Sequence, residues 1–316
     1  MKIAQDKPLD PNYTVILFYK YTKIADPKAC MMWQRELCTQ LGLTGRVRIA
    51  VEGINTTLEG KNENIELYIQ ELRKFPGFEN IEIKTSVGTG FAFQKLAVKV
   101  VPEIVKLGLG AEDIDPNQIT GIHLKPEELK KMYDENEDFV VIDMRNDYEF
   151  RVGHFKNSIN PKIDNFREVA DVLPEILENN PGIENKKVIT VCTGGVRCEK
   201  ASGYLKTKGF KDVYQLDGGM HVYMEKFPNQ KEFRGGLFTF DNRVVMDFTK
   251  DREIIGRCDL CEAPTERFDN CINDECHIHM VVCQECRDAN KFIWCSDKCR
   301  ETGRLGKIRF KDMELV

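Results

Sequence analysis

No run in this chain approaches the roughly 18 apolar residues that a membrane-spanning helix needs, which argues against a helical membrane protein. The opening MKIAQDKPLDPNYT lacks the apolar centre of a signal peptide, so a cytoplasmic location is expected. Positive charge is not in excess either. With 46 basic against 51 acidic residues the formal charge is −5, which excludes a protein that coats nucleic acid or an anionic membrane by bulk charge. There is no internal repeat or low-complexity segment, and no G-x-G-x-x-G follows a strand-like run, so a flavin or nicotinamide fingerprint is missing. What the 316 residues do contain is a hydrophobic fraction of 41%, enough to bury the cores of two or three domains, and intrinsic disorder is thereby excluded.

Cysteine is sparse over most of the length and dense at one end. Cys30, Cys38, Cys192 and Cys198 are scattered, whereas eight more fall between positions 258 and 299. In a reducing compartment such a group is read as metal ligands before disulfides. Charge also divides the chain: residues 1–110 carry +3, residues 111–228 carry −6 and residues 229–316 carry −2.

Residues 1–110 alternate strand-like and helix-like runs: VILFYKY, PKACMMWQRELCTQLG, RVRIAVEG, INTTLEG and NIELYIQELRKF, with one or two further strands in 80–101. The order βαββαβ predicts a ferredoxin-like sandwich. Residues 103–121, with their glycines and Pro116, read as a linker. In residues 111–228 the short β-branched runs FVVIDM and KVITVC stand among helix-like segments, as in a doubly wound parallel sheet. Residues 229–316 read as a hairpin-like extension followed by the small Cys-rich module.

The sharpest local feature is VITVCTGGVRCEKASGYL. A buried strand ends at Cys192; Thr193, Gly194, Gly195, Val196 and Arg197 form a short loop, and a helix begins near Cys198. Paired glycines let backbone N–H groups turn inward, the helix start adds partial positive charge, and Arg197 can clamp an anion. The same field favours the Cys192 thiolate, the nucleophilic form. A buried structural cysteine before an ordinary turn is the bland alternative, but the strand, the paired glycines and Cys-x4-Arg must then coincide by chance. Cys192 is therefore the expected catalytic residue.

This loop resembles that of the rhodanese family, as does VIDMRNDYEFRVGHFKNSINP, through Asp143, Arg145, Glu149, Phe150, Gly153, His154, Ser158 and Asn160, and QLDGGMHVY, through Gly218 and Gly219. Phe155 and Tyr223 stand where Ile and Trp are usual. The family carries sulfane sulfur on the loop cysteine, and its six-residue loop suits sulfur transfer, whereas related phosphatases use one residue more. Asp143 and Arg145 read as an ion pair bracing the loop. His154 reads as a structural histidine.

The tail has the spacing Cys258-x2-Cys261-x9-Cys271-x4-Cys276-x6-Cys283-x2-Cys286-x8-Cys295-x3-Cys299. Eight thiols in pairs can fill two tetrahedral four-thiolate sites, so two structural zinc ions are expected, with an iron–sulfur cluster or a metal-free redox relay as alternatives. The spacing leaves the pairing open, and His277 or His279 can replace a thiolate. In the first domain Arg46, Arg48, Lys95, Lys99 and Lys106, with Phe91 and Phe93 nearby, make a local basic face that can hold RNA phosphates and stack bases, against the plainer reading of a solvated sheet edge.

Glu52, Gly53, Ile54, Asn55 and Thr57 (E-G-I-N-x-T), the segment QKLAVKVVPEIVKLG, CTGGVRCEKAS, FRGGLFTFDNRV and the Cys-rich tail occur in one order. Taken together they resemble the rhodanese-like tRNA uridine hydroxylase family over nearly the whole length. That resemblance implies a bacterial, cytoplasmic enzyme that converts a wobble uridine in the tRNA anticodon loop to 5-hydroxyuridine with molecular oxygen, with Cys192 as the required cysteine. Two other functions stay open: a persulfide sulfurtransferase, and a non-catalytic zinc-dependent RNA-binding scaffold, against which the intact Cys192 and Arg197 count. Asp241, Asn242 and Arg243 either fold back near the catalytic loop or make a plain turn.

Overall fold

The computed structural model describes residues 7–248, 251–273, 275–290 and 292–302. The first domain runs β1 (Asp10–Tyr21), α1 (Pro27–Gln40), β2 (Thr44–Ala50), β3 (Gly53–Lys61), α2 (Asn62–Leu72), β4 (Lys84–Gly88) and β5 (Leu96–Val100). Asp26 starts α1 by accepting from the N–H groups of Lys28 and Ala29 at 3.0 and 2.9 Å, with Pro27 preset in the first turn. The sheet order β4-β1-β3-β2-β5 is the expected ferredoxin-like arrangement, widened by β5, which runs parallel to β2. At Gly53 φ is +148°, and a Cβ would stand 2.0 Å from the Lys20 carbonyl oxygen, so the β2–β3 connection tolerates only glycine.

Strand periodicity decides what this sheet does. Ile16, Phe18, Val47, Ile49, Ile54 and Leu58 point toward α1 and α2 and form the core. The alternate positions form cross-strand rows on the helix-free face: Lys84, Leu17, Thr57, Arg46 in one, and Tyr19, Asn55, Arg48, Lys99 in the next.

The middle of the chain runs β6 (Ile122–Leu124), α3 (Pro126–Asp134), β7 (Phe139–Asp143), α4 (Asp147–Val152), β8 (Gly153–Phe155), α5 (Val169–Asn179), β9 (Lys187–Val191), α6 (Val196–Thr207), β10 (Asp212–Leu216) and α7 (Gly219–Lys226). Strands β6-β10-β9-β7 form an all-parallel sheet with apolar cores on both faces, which is why β7 and β9 read as continuous apolar runs. The rest comprises β11 (Phe233–Gly235), antiparallel to β8, a hairpin of β12 (Leu237–Phe238) and β13 (Val245–Met246), a second of β14 (Phe268–Asn270) and β15 (His279–Val281), then α8 (Gln284–Ala289) and α9 (Asp297–Thr302). No helix of the described residues is long and apolar enough to cross a membrane.

Residues 103–121, expected as a linker, are instead a packed strap. Leu107 and Ile114 enter the core of the parallel-sheet domain. Glu103 and Asp113 of the strap, with Glu52 of the first domain, surround the fully buried Lys200 of α6 at 2.9, 2.6 and 2.8 Å. A single ammonium thus ties the first domain and the strap to the helix that follows Cys192. Removing one partner of a buried ionic cluster leaves the others uncompensated, at a cost of roughly 3–5 kcal/mol. Lys200→Ala is therefore expected to lower unfolding free energy by about that amount in urea titrations; a loss under about 1 kcal/mol would mean that water serves the three carboxylates equally well.

Candidate active site

Strand β9 ends at Val191 and α6 begins at Val196, so Cys192 lies in the turn between them, only 1% exposed. The turn curls around its sulfur, and the Gly195 N–H donates to Sγ at 3.2 Å. Gly195 has φ +99°. Gly219, at φ +69°, lies so close under the loop that a Cβ there would meet the Cys192 carbonyl oxygen at 2.7 Å and the Gly195 nitrogen at 2.8 Å. The L-D-G-G turn is thus a floor on which only glycine lets the loop close. Backbone N–H groups of Met220 and His221 donate to the carbonyls of Cys192 and Thr193 at 2.9 and 3.0 Å.

Burial by itself pushes the Cys192 thiol up. The Cys198 thiol, the Arg197 guanidinium and the N–H groups of Arg197 and Gly195 outweigh it and hold the group down at about 5. The field of the loop thus favours the Cys192 thiolate, while burial and the Cys192 charge push Cys198 the other way, upward.

Arg197 is fixed from behind by a residue whose role the sequence did not reveal. Both guanidinium nitrogens donate to Glu149, at 2.7 and 2.9 Å, and the Thr193 hydroxyl lies 3.4 Å from the same carboxylate. Although burial pushes the Glu149 carboxyl up, Arg197 and Arg145 hold it below its ordinary value. The signal was present, since Glu149 is part of the D-x-R-x-x-x-E element, but nothing local shows which arginine it meets. Asp143 and Arg145, expected to brace the loop, pair with each other at 2.6 Å, and Arg145 also donates to the Gly153 carbonyl. They fix the β7–α4 corner, and the Arg145 charge also helps hold down Glu149, the partner of Arg197. His154 bonds the Phe150 carbonyl at 2.8 Å and stacks on the Phe150 ring, a structural placement.

The helix-free face of the first domain roofs the loop. A Cβ on Gly194 would meet Leu17 at 2.8 Å, and one on Gly195 would meet the Tyr19 hydroxyl at 2.9 Å. Tyr19 donates to Glu199 at 3.0 Å and Tyr21 to the Val196 carbonyl at 3.2 Å. Beside them Lys84 is buried, its ammonium 5.5 Å from the Tyr19 ring. Arg46, Arg48 and Lys99 share this face, exposed and without a carboxylate partner among the described residues. Lys95 and Lys106 are exposed but stand outside β2 and β5, at the sheet margin and on the strap. Phe91 is 54% exposed, whereas Phe93 packs against Val15 and Ala92; as a core residue it is not available to stack a base.

The FDNRV turn does fold back to the loop and is also a hairpin turn. Asp241 pairs with Arg243 at 2.7 Å, Arg243 reaches Ser86 at 2.7 Å, and Asn242 donates to the Phe91 carbonyl at 2.7 Å. Phe240 is thereby set 5.5 Å from the Arg197 guanidinium.

The eight tail cysteines gather into two interleaved sets, Cys258, Cys261, Cys283, Cys286 and Cys271, Cys276, Cys295, Cys299, with sulfurs within 4.8 Å of one another. Several sulfurs lie 3.5 to 3.6 Å apart. A tetrahedral thiolate site with ~2.3 Å metal–sulfur bonds has sulfurs about 3.8 Å apart, so both sets fit a metal ion. Each set already has four sulfurs, and His279 is stacked on Tyr148 at 4.6 Å; neither His279 nor His277 replaces a thiolate.

A parallel-sheet domain presenting a cysteine in a six-residue N–H cradle defines a rhodanese-type protein, and sequence comparison agrees. The rhodanese-like domain matches residues 125–226, the UPF0176 acylphosphatase like domain residues 13–104, and the rhodanase C-terminal family residues 234–300. The tRNA uridine(34) hydroxylase of Corynebacterium jeikeium is 41% identical over 299 residues, covering 92% of this chain and 96% of that protein. That of Bacillus cereus is 41% identical over 304 residues, covering 96% and 92%, and that of Cytophaga hutchinsonii 41% over 291 residues, covering 92% and 90%. The chain belongs to the tRNA uridine(34) hydroxylase family. Among solved structures, a rhodanese-like domain protein of Staphylococcus aureus aligns with 29% identity over 32% of this chain and 90% of its own, at a TM-score of 0.27.

Thiolate absorbance, read as the difference between the wild-type chain and Cys192→Ser, should titrate with a midpoint near 5. Arg197→Met should move that midpoint up toward neutrality, because the compensating charge is gone. An unchanged midpoint would show that Arg197 does not stabilise the thiolate.

Proposed function

We propose that this protein is a tRNA-modifying oxygenase that hydroxylates C5 of the wobble uridine, with Cys192 as its nucleophile. The observation that carries this reading is a buried cysteine at the end of β9 whose sulfur accepts from the Gly195 N–H inside an Arg197-closed loop, in a chain whose relatives named tRNA uridine(34) hydroxylase align over 92 to 96% of it. Attack of the Cys192 thiolate on uracil C6 moves electron density toward C5 and O4. Inward N–H groups of the loop and the Arg197 charge stabilise what develops, without reorganisation at the moment of reaction. C5 thereby becomes the nucleophilic carbon that takes one atom of molecular oxygen, the other leaving as water with two electrons and two protons from an external reductant; loss of the C5 proton then expels the Cys192 thiolate from C6 and restores the double bond.

The base must leave its stack to reach the thiolate, which a single-stranded anticodon loop permits. Arg46, Arg48 and Lys99, exposed and with no carboxylate partner among the described residues, support RNA docking on the first domain, with Lys95 and Lys106 as outlying phosphate contacts. In this reading residues 1–110 hold RNA, residues 111–228 carry the chemistry, residues 229–316 supply the hairpin extension and metal module, and the protein works in the cytoplasm. All-thiolate sets closed to a further ligand fit structural zinc, which when bound would fold the module.

Uridine-wobble tRNA incubated in air with the purified chain should yield 5-hydroxyuridine by nucleoside mass spectrometry, and none with Cys192→Ser or without oxygen. A thiolated nucleoside in its place would assign the loop to persulfide transfer, the activity for which a six-residue cradle is also suited. Metal analysis should find two equivalents of zinc per chain, falling to one in Cys258→Ser. Iron, or no metal in active protein, would refute the zinc assignment.

A further inference from the structure

Phe240 is an exception among its neighbours. Leu237, Phe238 and Thr239 are buried, but the Phe240 ring is 41% exposed. Slack in the chain does not explain this. The next three residues bolt the turn to the first domain: Asn242 donates from its backbone N–H to the Ala92 carbonyl at 2.9 Å and from its side-chain amide to the Phe91 carbonyl at 2.7 Å, and Arg243 spans Asp241, Ser86 and the Val87 carbonyl. A large apolar ring is thus held rigidly in contact with water.

Its surroundings say what would cover it. On one side is the Arg197 guanidinium, 5.5 Å from the ring centroid, so the ring borders the Cys192 loop. On the other it is the outermost member of an aromatic ladder: Phe238 stands edge-on at 5.8 Å, Tyr148 meets Phe238 at 5.2 Å, and His279 stacks on Tyr148 at 4.6 Å. Arg46, exposed and with no carboxylate partner among the described residues, lies in the same cross-strand row as Leu17, the residue over Gly194 of the loop. An exposed aromatic beside the Cys192 loop, with the exposed Arg46, Arg48 and Lys99 on the sheet that roofs that loop, is complementary to a ligand that is planar and anionic at once. A nucleobase on a phosphodiester backbone meets that description, whereas an apolar peptide satisfies the ring but not the charges.

We infer that Phe240 is the stacking platform on which an unpaired RNA base settles as it approaches the Cys192 loop. It is a positioning residue and takes no part in bond making. The inference rests on the RNA-modifying reading for its substrate, but stacking itself can be measured without turnover.

The test uses the full metal-loaded chain and a uridine-wobble anticodon stem-loop. Phe240→Trp puts a reporter in the platform, and its emission, taken as the difference from the wild-type chain with its Trp33 and Trp294, should be quenched when the stem-loop binds. Phe240→Leu keeps apolar bulk but loses the π face; single-turnover hydroxylation should fall about 10- to 100-fold, the range expected for one base-aromatic stack. Phe240→Trp should retain most activity, and the thiolate midpoint should be the same in all three proteins.

Full activity in Phe240→Leu, or an unquenched Phe240→Trp that still hydroxylates, overturns the inference. Quenching by the stem-loop in a chain that yields no hydroxylated nucleoside supports the platform while removing the oxygenase reading, so the two failures are distinguishable. Loss of activity in Phe240→Leu with a displaced thiolate midpoint would overturn it in favour of a packing role beneath Arg197.

Discussion

Placing a carboxylate and a guanidinium together inside a protein is costly unless nearly every lone pair and proton is used. Glu149 is fully buried and Arg197 nearly so, and they spend their capacity on each other: two charge-assisted hydrogen bonds, with Thr193 and the Asn146 N–H taking up more of the carboxylate. Their geometry leaves the catalytic loop one conformation. Because Glu149 stands at the start of α4, directly after the β7 corner that Asp143 and Arg145 lock, the cradle inherits the rigidity of the parallel sheet. The lowered pKa of Cys192 and the place of Phe240 both presuppose that Arg197 does not move.

Much of this was readable in the chain itself. The β-branched runs that became β7 and β9 are strong signals because burial on both faces removes alternation, and the Cys192–Arg197 loop is contiguous, so its form follows from glycines and spacing. Contacts between distant positions left little trace. Lys200 looks like any surface lysine of a helix, and only its three partners at positions 52, 103 and 113 make it a buried clamp and turn a glycine-rich linker into a strap. Glu149 belongs to the same class. Phe93 read as a possible stacking residue because composition does not say which face of an irregular segment turns inward. The interleaved pairing of the thiolates was equally invisible, since spacing fixes pairs and not which pairs meet.

Parts of the chain that look like appendages turn out to share one seam. The sheet of the first domain supplies the roof, the strap and Lys200 keep that roof seated, and the second hairpin carries His279 and Phe268 into the aromatic ladder behind Tyr148. A metal held in the tail would therefore bear on the site mechanically. Folding the Cys-rich module sets the outer wall against which Tyr148, the neighbour of Glu149, is packed.

The roof has a consequence for the protein's survival. A thiolate stable at neutral pH is the form most readily driven to sulfenic and sulfinic acid, and this protein is expected to work in the presence of oxygen. With Leu17 and Tyr19 over the loop and Cys192 at 1% exposure, the sulfur is sheathed from solvent. The same two side chains that seat the first domain on the loop thus also stand between the sulfur and dissolved oxidants.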